Sequence, residues 1–141
     1  MAKIKNKAAE VAFKILWALV AKKAHFEDNV IEPLQNTISN TQTKADALLK
    51  ELKNNVFIAF KLKKGEAVTM QIIEDGKLKN IVLRGQDDLT WVEDKIWSLQ
   101  CDVNSCTEEL NNAKAEMNKA KKQLAAIKGQ ITKAQKAYEN A

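Results

Sequence analysis

Histidine, cysteine and closely set carboxylates are the side chains through which a chain of 141 residues would bind metal or move protons. His25 is the single histidine and falls near the polar face of an expected helix, so neither a ligand nor a general base is expected there. Cys101 and Cys106 stand five apart on a second expected helix, point to different faces and cannot bridge each other. The four-ligand spacing of a zinc site is missing as well. Free thiols in a reducing, cytoplasmic setting are the expectation, with Cys106 a small core residue and Cys101 open to an intermolecular disulfide.

Two carboxylate pairs, Asp87-Asp88 and Glu108-Glu109, come closest to acid–base chemistry. Adjacent helical residues point about 100° apart, so neither pair converges on a substrate; a helix cap and surface charge account for them. Gly65, Gly76 and Gly85 read as turn residues rather than a phosphate-cradling loop. The expectation is a non-catalytic protein with no cofactor, no metal and no small-molecule substrate.

Charge points to partners instead. The formal net charge is +5, and the excess sits at the two ends. Lys3, Lys5, Lys7, Lys14, Lys22 and Lys23 face Glu10 alone in the first 25 residues, while the carboxyl-terminal stretch carries Lys121, Lys122 and Lys128 among further lysines. The middle is slightly acidic. Basic ends favour an anionic partner or surface if they meet in space. Nucleic acid is the less expected anion: Arg84 is the one arginine, and no aromatic residues interleave with the Lys-rich run 114–136 to stack on bases.

Apolar residues set the architecture. From Leu89 they recur as Leu89, Val92, Ile96, Leu99, Val103, Cys106, Leu110, Ala113, Met117, Ala120, Leu124, Ile127, Ile131, Ala134 and Tyr138, alternating three and four apart. That spacing predicts a coiled-coil helix over 87–140, capped by Asp87 or Asp88, with a Thr90/Glu93 capping box one turn on. A rougher seam through Phe13, Trp17, Val20, Ala24, Glu27, Ile31, Leu34, Ile38, Thr41, Ala45, Leu48 and Leu52 predicts a first helix over 3–54. Pro33 interrupts it, and a kink near Asn29–Pro33 is preferred to a reversal, which would give a three-helix bundle.

Between the helices the period changes. "VFIAFKL" (56–62), "AVTMQII" (67–73) and "LKNIVLR" (78–84) read as three strands of an antiparallel meander over 55–86, with Asp75-Gly76 as a two-residue hairpin turn. The fold class is α+β, mainly α: a long antiparallel coiled-coil hairpin with a three-stranded meander at its connecting end, in one domain spanning 1–141. Folding about the meander sets Leu48 against Ile96, Ile31 against Ala113 and Val20 against Leu124, with Lys44 near Asp102 and Asp28 near Lys114.

One stretch has more apolar surface than such a hairpin can cover. Between Lys14 and Lys22 no charge interrupts Ile15–Ala21, and one neighbouring helix covers only part of its circumference. The run is too short to span a bilayer, and no small-x-small cleavage pattern follows it, so neither a membrane span nor a cleaved leader is expected. Phe13, Ile15, Leu16, Trp17, Leu19 and Val20 are therefore read as an association surface, for self-association first and a peripheral anionic membrane second. Lys7, Lys14, Lys22, Lys23, Lys121, Lys122 and Lys128 are the candidates to meet an anionic partner. Trp91, Trp97, Phe57 and Phe60, off the seam near the meander, form the second expected contact surface, and the free edges of the meander offer pairing between subunits.

The order of elements resembles that of a prefoldin subunit, in which a helical hairpin carries β-hairpins that join subunits into a chaperone. The resemblance spans the whole chain through its layout and implies an assembly, adaptor or chaperone-like protein acting through protein–protein contacts, as a homo-oligomer or with a protein partner.

Overall fold

A computed structural model describes residues 7–141; the expected helix start at residue 3, and Lys3 and Lys5, lie outside that range. Helix α1 spans Lys7–Phe26, a single π-helical segment covers Glu27–Ile31, and α2 runs Glu32–Lys63. Strands β1 (Val68–Glu74) and β2 (Lys77–Leu83) follow, then α3 over Gly85–Glu139. These elements form two compact units. A terminal unit takes in the chain up to Asn40 together with Leu110–Ala141, and a sheet-bearing unit is Thr41–Glu109.

Pro33 explains the π segment. Proline has no N–H to give the carbonyl of Asn29, and its ring crowds that carbonyl. Widening the preceding turn relieves the clash: the Glu32 N–H donates to the Glu27 carbonyl, five residues back. The Asn29 side chain adds a hydrogen bond from Nδ2 to the His25 carbonyl, 2.8 Å, with the same atom 3.0 Å from His25 Nδ1. The helix neither reverses nor stops.

The extra residue shifts the buried stripe by one. Beyond the π segment it follows the expected positions Ile31, Leu34, Ile38, Thr41, Ala45, Leu48 and Leu52, all buried or half-buried. Before it, burial falls on Ala12, Leu16, Leu19, Lys23 and Phe26, each one position ahead of the expected seam, while Trp17, Val20 and Ala24 are exposed. An unbroken three-four repeat cannot register a one-residue insertion.

In α3 every expected seam position from Leu89 to Tyr138 is buried or half-buried. The helix starts at Gly85, where the Asp88 carboxylate accepts the Arg84 backbone N–H at 2.7 Å. The Thr90/Glu93 capping box does not form, since Thr90 lies inside the helix and its hydroxyl donates to the Gln86 carbonyl at 3.0 Å.

The sheet has two strands, not three. Residues 56–62 are the last turns of α2, with Asn55, Ile58, Ala59 and Leu62 buried at helical spacing. A seven-residue apolar run fits either period, and here packing decides: Ile58, Ala59 and Leu62 meet Leu83, Leu89 and Val92 in one core. The helix ends where Gly65 adopts φ +82°. Its N–H donates to the Leu62 carbonyl (3.0 Å) and that of Glu66 to the Lys61 carbonyl (3.1 Å), the paired bonds of a Schellman cap.

Strands β1 and β2 pair antiparallel from Val68↔Leu83 to Glu74↔Lys77. The turn is Asp75-Gly76, with φ of +52° and +76°, the left-handed pair that a two-residue hairpin demands. Val68, Met70, Ile81 and Leu83 lie toward the helical core, and Thr69, Gln71, Ile73, Leu78 and Val82 take the opposite face. Val92 at the centre has no exposed surface.

Within each unit the helical segments run antiparallel, displaced from the expected register. In the sheet-bearing unit Glu51 meets Lys95 at 3.9 Å instead of Glu93. The Cys106 thiol contacts the Thr41 carbonyl at 3.5 Å, three residues past Val103. Lys44 and Asp102 do border one hollow, as expected. In the terminal unit Phe13 packs against Tyr138 with ring centroids 5.7 Å apart, a heptad beyond its expected partner Ile131. Sliding one seam along another by a heptad still matches apolar to apolar, so the repeat alone selects no register.

Candidate interaction surfaces

Both expected contact regions carry exposed apolar side chains, arranged differently from the sequence expectation. On α1, Ile15, Trp17 and Val20 are exposed, together with Val11, which spacing did not single out. Leu16 and Leu19 are instead half-buried on the helix-facing stripe, and Phe13 is half-buried between Trp17, edge-on at 6.1 Å, and Tyr138. The one-residue shift behind the π segment divides the run into two flanks. Val11 and Ile15, four apart, share one side; Trp17 and Val20, three apart, share the other.

The lysines of this region are held loosely. Lys14 pairs with Glu10 at 3.5 Å and Lys23 with Glu27 at 3.7 Å, both one turn apart along the helix. Lys7 and Lys22 have no ion pair among the described residues, nor do Lys121, Lys122 and Lys128 on α3, all of them exposed.

The sheet-bearing unit presents two apolar areas. In the first, Val56 and Phe60 of α2 and Trp97 of α3 line a shallow hollow of about 450 Å³ with Ala59 and Ile96 at its base. Trp97 is 73% exposed. The second is the outward face of the hairpin, where the cross-strand pair Ile73↔Leu78 is 76% and 73% exposed. Strand alternation carried the signal for that pair, since β1 and β2 each place apolar residues on both faces. Three rings of this unit are roofed by lysine: Lys61 over Phe57 (4.9 Å), Lys64 over Phe60 (4.3 Å) and Lys95 over Trp91 (5.5 Å). A lysine over a ring shields one side and leaves the other open.

Among the described residues no three His, Cys, Asp or Glu side chains gather as a metal would require, and no helix is long and apolar enough to cross a membrane. Cys106 is buried and Cys101 exposed, both as free thiols. An open hollow of about 800 Å³ between α2 and β1 is lined by apolar Ile58, Val68 and Met70 together with the Glu51–Lys95 ion pair. Asn55 lies beside it with its Nδ2 donating to the Glu51 carbonyl at 2.8 Å, while its Oδ1 is buried without a partner. Compared with known proteins, the chain matches no family model, no curated protein sequence and no solved structure.

Proposed function

We propose that this chain is a non-catalytic, self-associating scaffold or adaptor that works through protein–protein contacts, its helical segments packing as an antiparallel coiled coil. The single observation supporting this most is Trp97, an indole 73% exposed beside Phe60 and Val56 in one apolar hollow. Fully burying one large apolar side chain contributes roughly 1.5–3 kcal/mol, and aromatic anchors of this kind dominate the energetics of interfaces. A second copy covers them at no cost in new sequence, and an isologous contact brings Trp97 of each subunit to the same patch. The outward Ile73↔Leu78 face and the open edges of the hairpin offer a second, separate contact surface, since an unpaired strand edge is a template for pairing.

A chaperone-like role, as the prefoldin-like layout implies, belongs to the same class, with client segments in place of the second copy. Cytoplasmic residence fits its two free thiols. Light scattering on the full chain tests the reading. The wild type is expected to exceed the mass of one subunit, and Trp97→Glu with Phe60→Glu to return it to that mass while helical circular dichroism stays unchanged. A double variant with the wild-type mass overturns the assignment of this surface.

A further inference from the structure

The terminal unit has a second kind of face. In one hollow of about 690 Å³, Val11 and Ile15 of α1 stand opposite Ala134, Ala137 and Ala141 of α3, with Lys7 at the rim. Farther along the same helices a second hollow joins Lys22 and Phe26 to Gln123, Ala126 and Gln130. Helical spacing puts the two in line, because Val11, Ile15, Lys22 and Phe26 follow one another by four and seven residues, as do Ala126, Gln130 and Ala137 on α3. The two hollows thus lie along one grooved face of the helix pair, the first apolar and floored by alanines beside Lys7, the second mixed, with Phe26 and Ile127 beside Lys22 and two glutamines. No Asp or Glu side chain lines either hollow.

We propose that this groove face docks on an anionic lipid surface. Charge selects the occupant. The terminal unit carries thirteen lysines against six acidic residues, a net +7 with His25 neutral, and no arginine. Lysine is a flexible point charge without the planar fork that recognises one carboxylate or phosphate, and it suits a diffuse anionic surface. A second copy seated by the same face would set Lys7 and Lys22 of each against the other with no Asp or Glu side chain lining the hollows, which disfavours it. On a bilayer, Val11 and Ile15, each about half exposed (50% and 51%), enter the boundary between headgroups and acyl chains. The lysine stems lie along the apolar surface with their ammonium groups among the headgroups. The opposite flank, with Trp17 and Val20, takes no part in this docking, which does not depend on the protein contacts proposed for the sheet-bearing unit.

Co-sedimentation of the full chain with phosphatidylglycerol/phosphatidylcholine vesicles, and with phosphatidylcholine alone, tests the proposal. The wild type is expected to pellet with the anionic vesicles, to remain in solution with the neutral ones, and to be released as salt rises. A lysine near such a surface contributes about fivefold to partition. Lys7→Gln with Lys22→Gln is therefore expected to weaken binding by about twentyfold to thirtyfold without altering the fold. Val11→Glu with Ile15→Glu is expected to abolish it, and Ile73→Glu in the sheet to leave it unchanged. Equal binding to both vesicle types overturns the proposal. So does a Val11→Glu, Ile15→Glu variant that keeps its vesicle binding but loses mass by light scattering, because the groove would then be a subunit contact. Failure of the wild type to pellet while it is retained on a polyglutamate column would assign the face to an acidic protein segment and also overturn it.

Discussion

The two units use the same pair of long helices and reach different degrees of closure. In the sheet-bearing unit the β-hairpin adds a third wall, so that α2, α3 and the sheet enclose Ile58, Leu62, Leu83, Leu89 and Val92. In the terminal unit only helix faces helix, and the buried stripe of α1 is formed by Ala12 and half-buried Leu16, Leu19 and Phe26. Two helices in contact bury one stripe apiece, so Val11, Ile15, Trp17 and Val20 stay outside it. Charge divides along the same line: the terminal unit is +7, and the sheet-bearing unit, with ten basic and twelve acidic residues, is −2. The third wall encloses a core in the sheet-bearing unit while leaving Trp97 and the outer sheet face uncovered; without it, the flanks of α1 in the terminal unit stay open.

Truncation should separate the two units most sharply. Leu62→Ala empties a site in the three-walled core and is expected to cost about 2–5 kcal/mol in urea unfolding, whereas Leu16→Ala, half-buried between two helices, should cost about 1 kcal/mol. Equal losses would remove the distinction between the units. Next in size are the left-handed turn positions of the sheet-bearing unit. Gly76→Val places a β-branched side chain at φ +76° and should destabilise by about 1–2 kcal/mol, seen as a lowered thermal midpoint.

A smaller effect has the opposite sign. Asn55 is buried with its Oδ1 unpartnered, and a carbonyl oxygen without a hydrogen bond costs more than an apolar group of the same shape. Asn55→Leu is therefore expected to raise stability by about 1 kcal/mol, and a loss on substitution would mean that the oxygen has a partner in solution. Least affected should be Glu51→Gln, which breaks the solvent-exposed 3.9 Å pair with Lys95 and should shift the unfolding free energy by less than about 0.5 kcal/mol.

Much of this architecture is legible in the residues, for identifiable reasons. The α3 seam repeats from Leu89 to Tyr138, and a long repeat specifies both a helix and the face it buries. Asp75-Gly76 marked the hairpin turn because few other residues accept two consecutive positive φ angles. Residues 56–62 misled because Val56, Ile58, Phe60 and Leu62 alternate as a strand would, while Ile58, Ala59 and Leu62 also share a helical face. Only the partners on β2 and α3 decide between those readings. The π segment ahead of Pro33 was foreshadowed as a kink. Its one-residue shift of the α1 stripe was not, so Leu16 and Leu19 moved inward from the expected association surface while Trp17 and Val20 remained on it. The outward Ile73↔Leu78 pair follows from strand alternation about the Asp75-Gly76 turn, which sets both side chains on the face away from the helices.

Self-association, as proposed, follows from apolar surface that one copy leaves uncovered in the sheet-bearing unit. Sedimentation equilibrium of the wild type in dilute, lipid-free buffer, repeated at rising concentration, tests that claim most directly. A mass that stays above 15.8 kDa and climbs with concentration is the predicted result. A particle of one subunit at every concentration would contradict it.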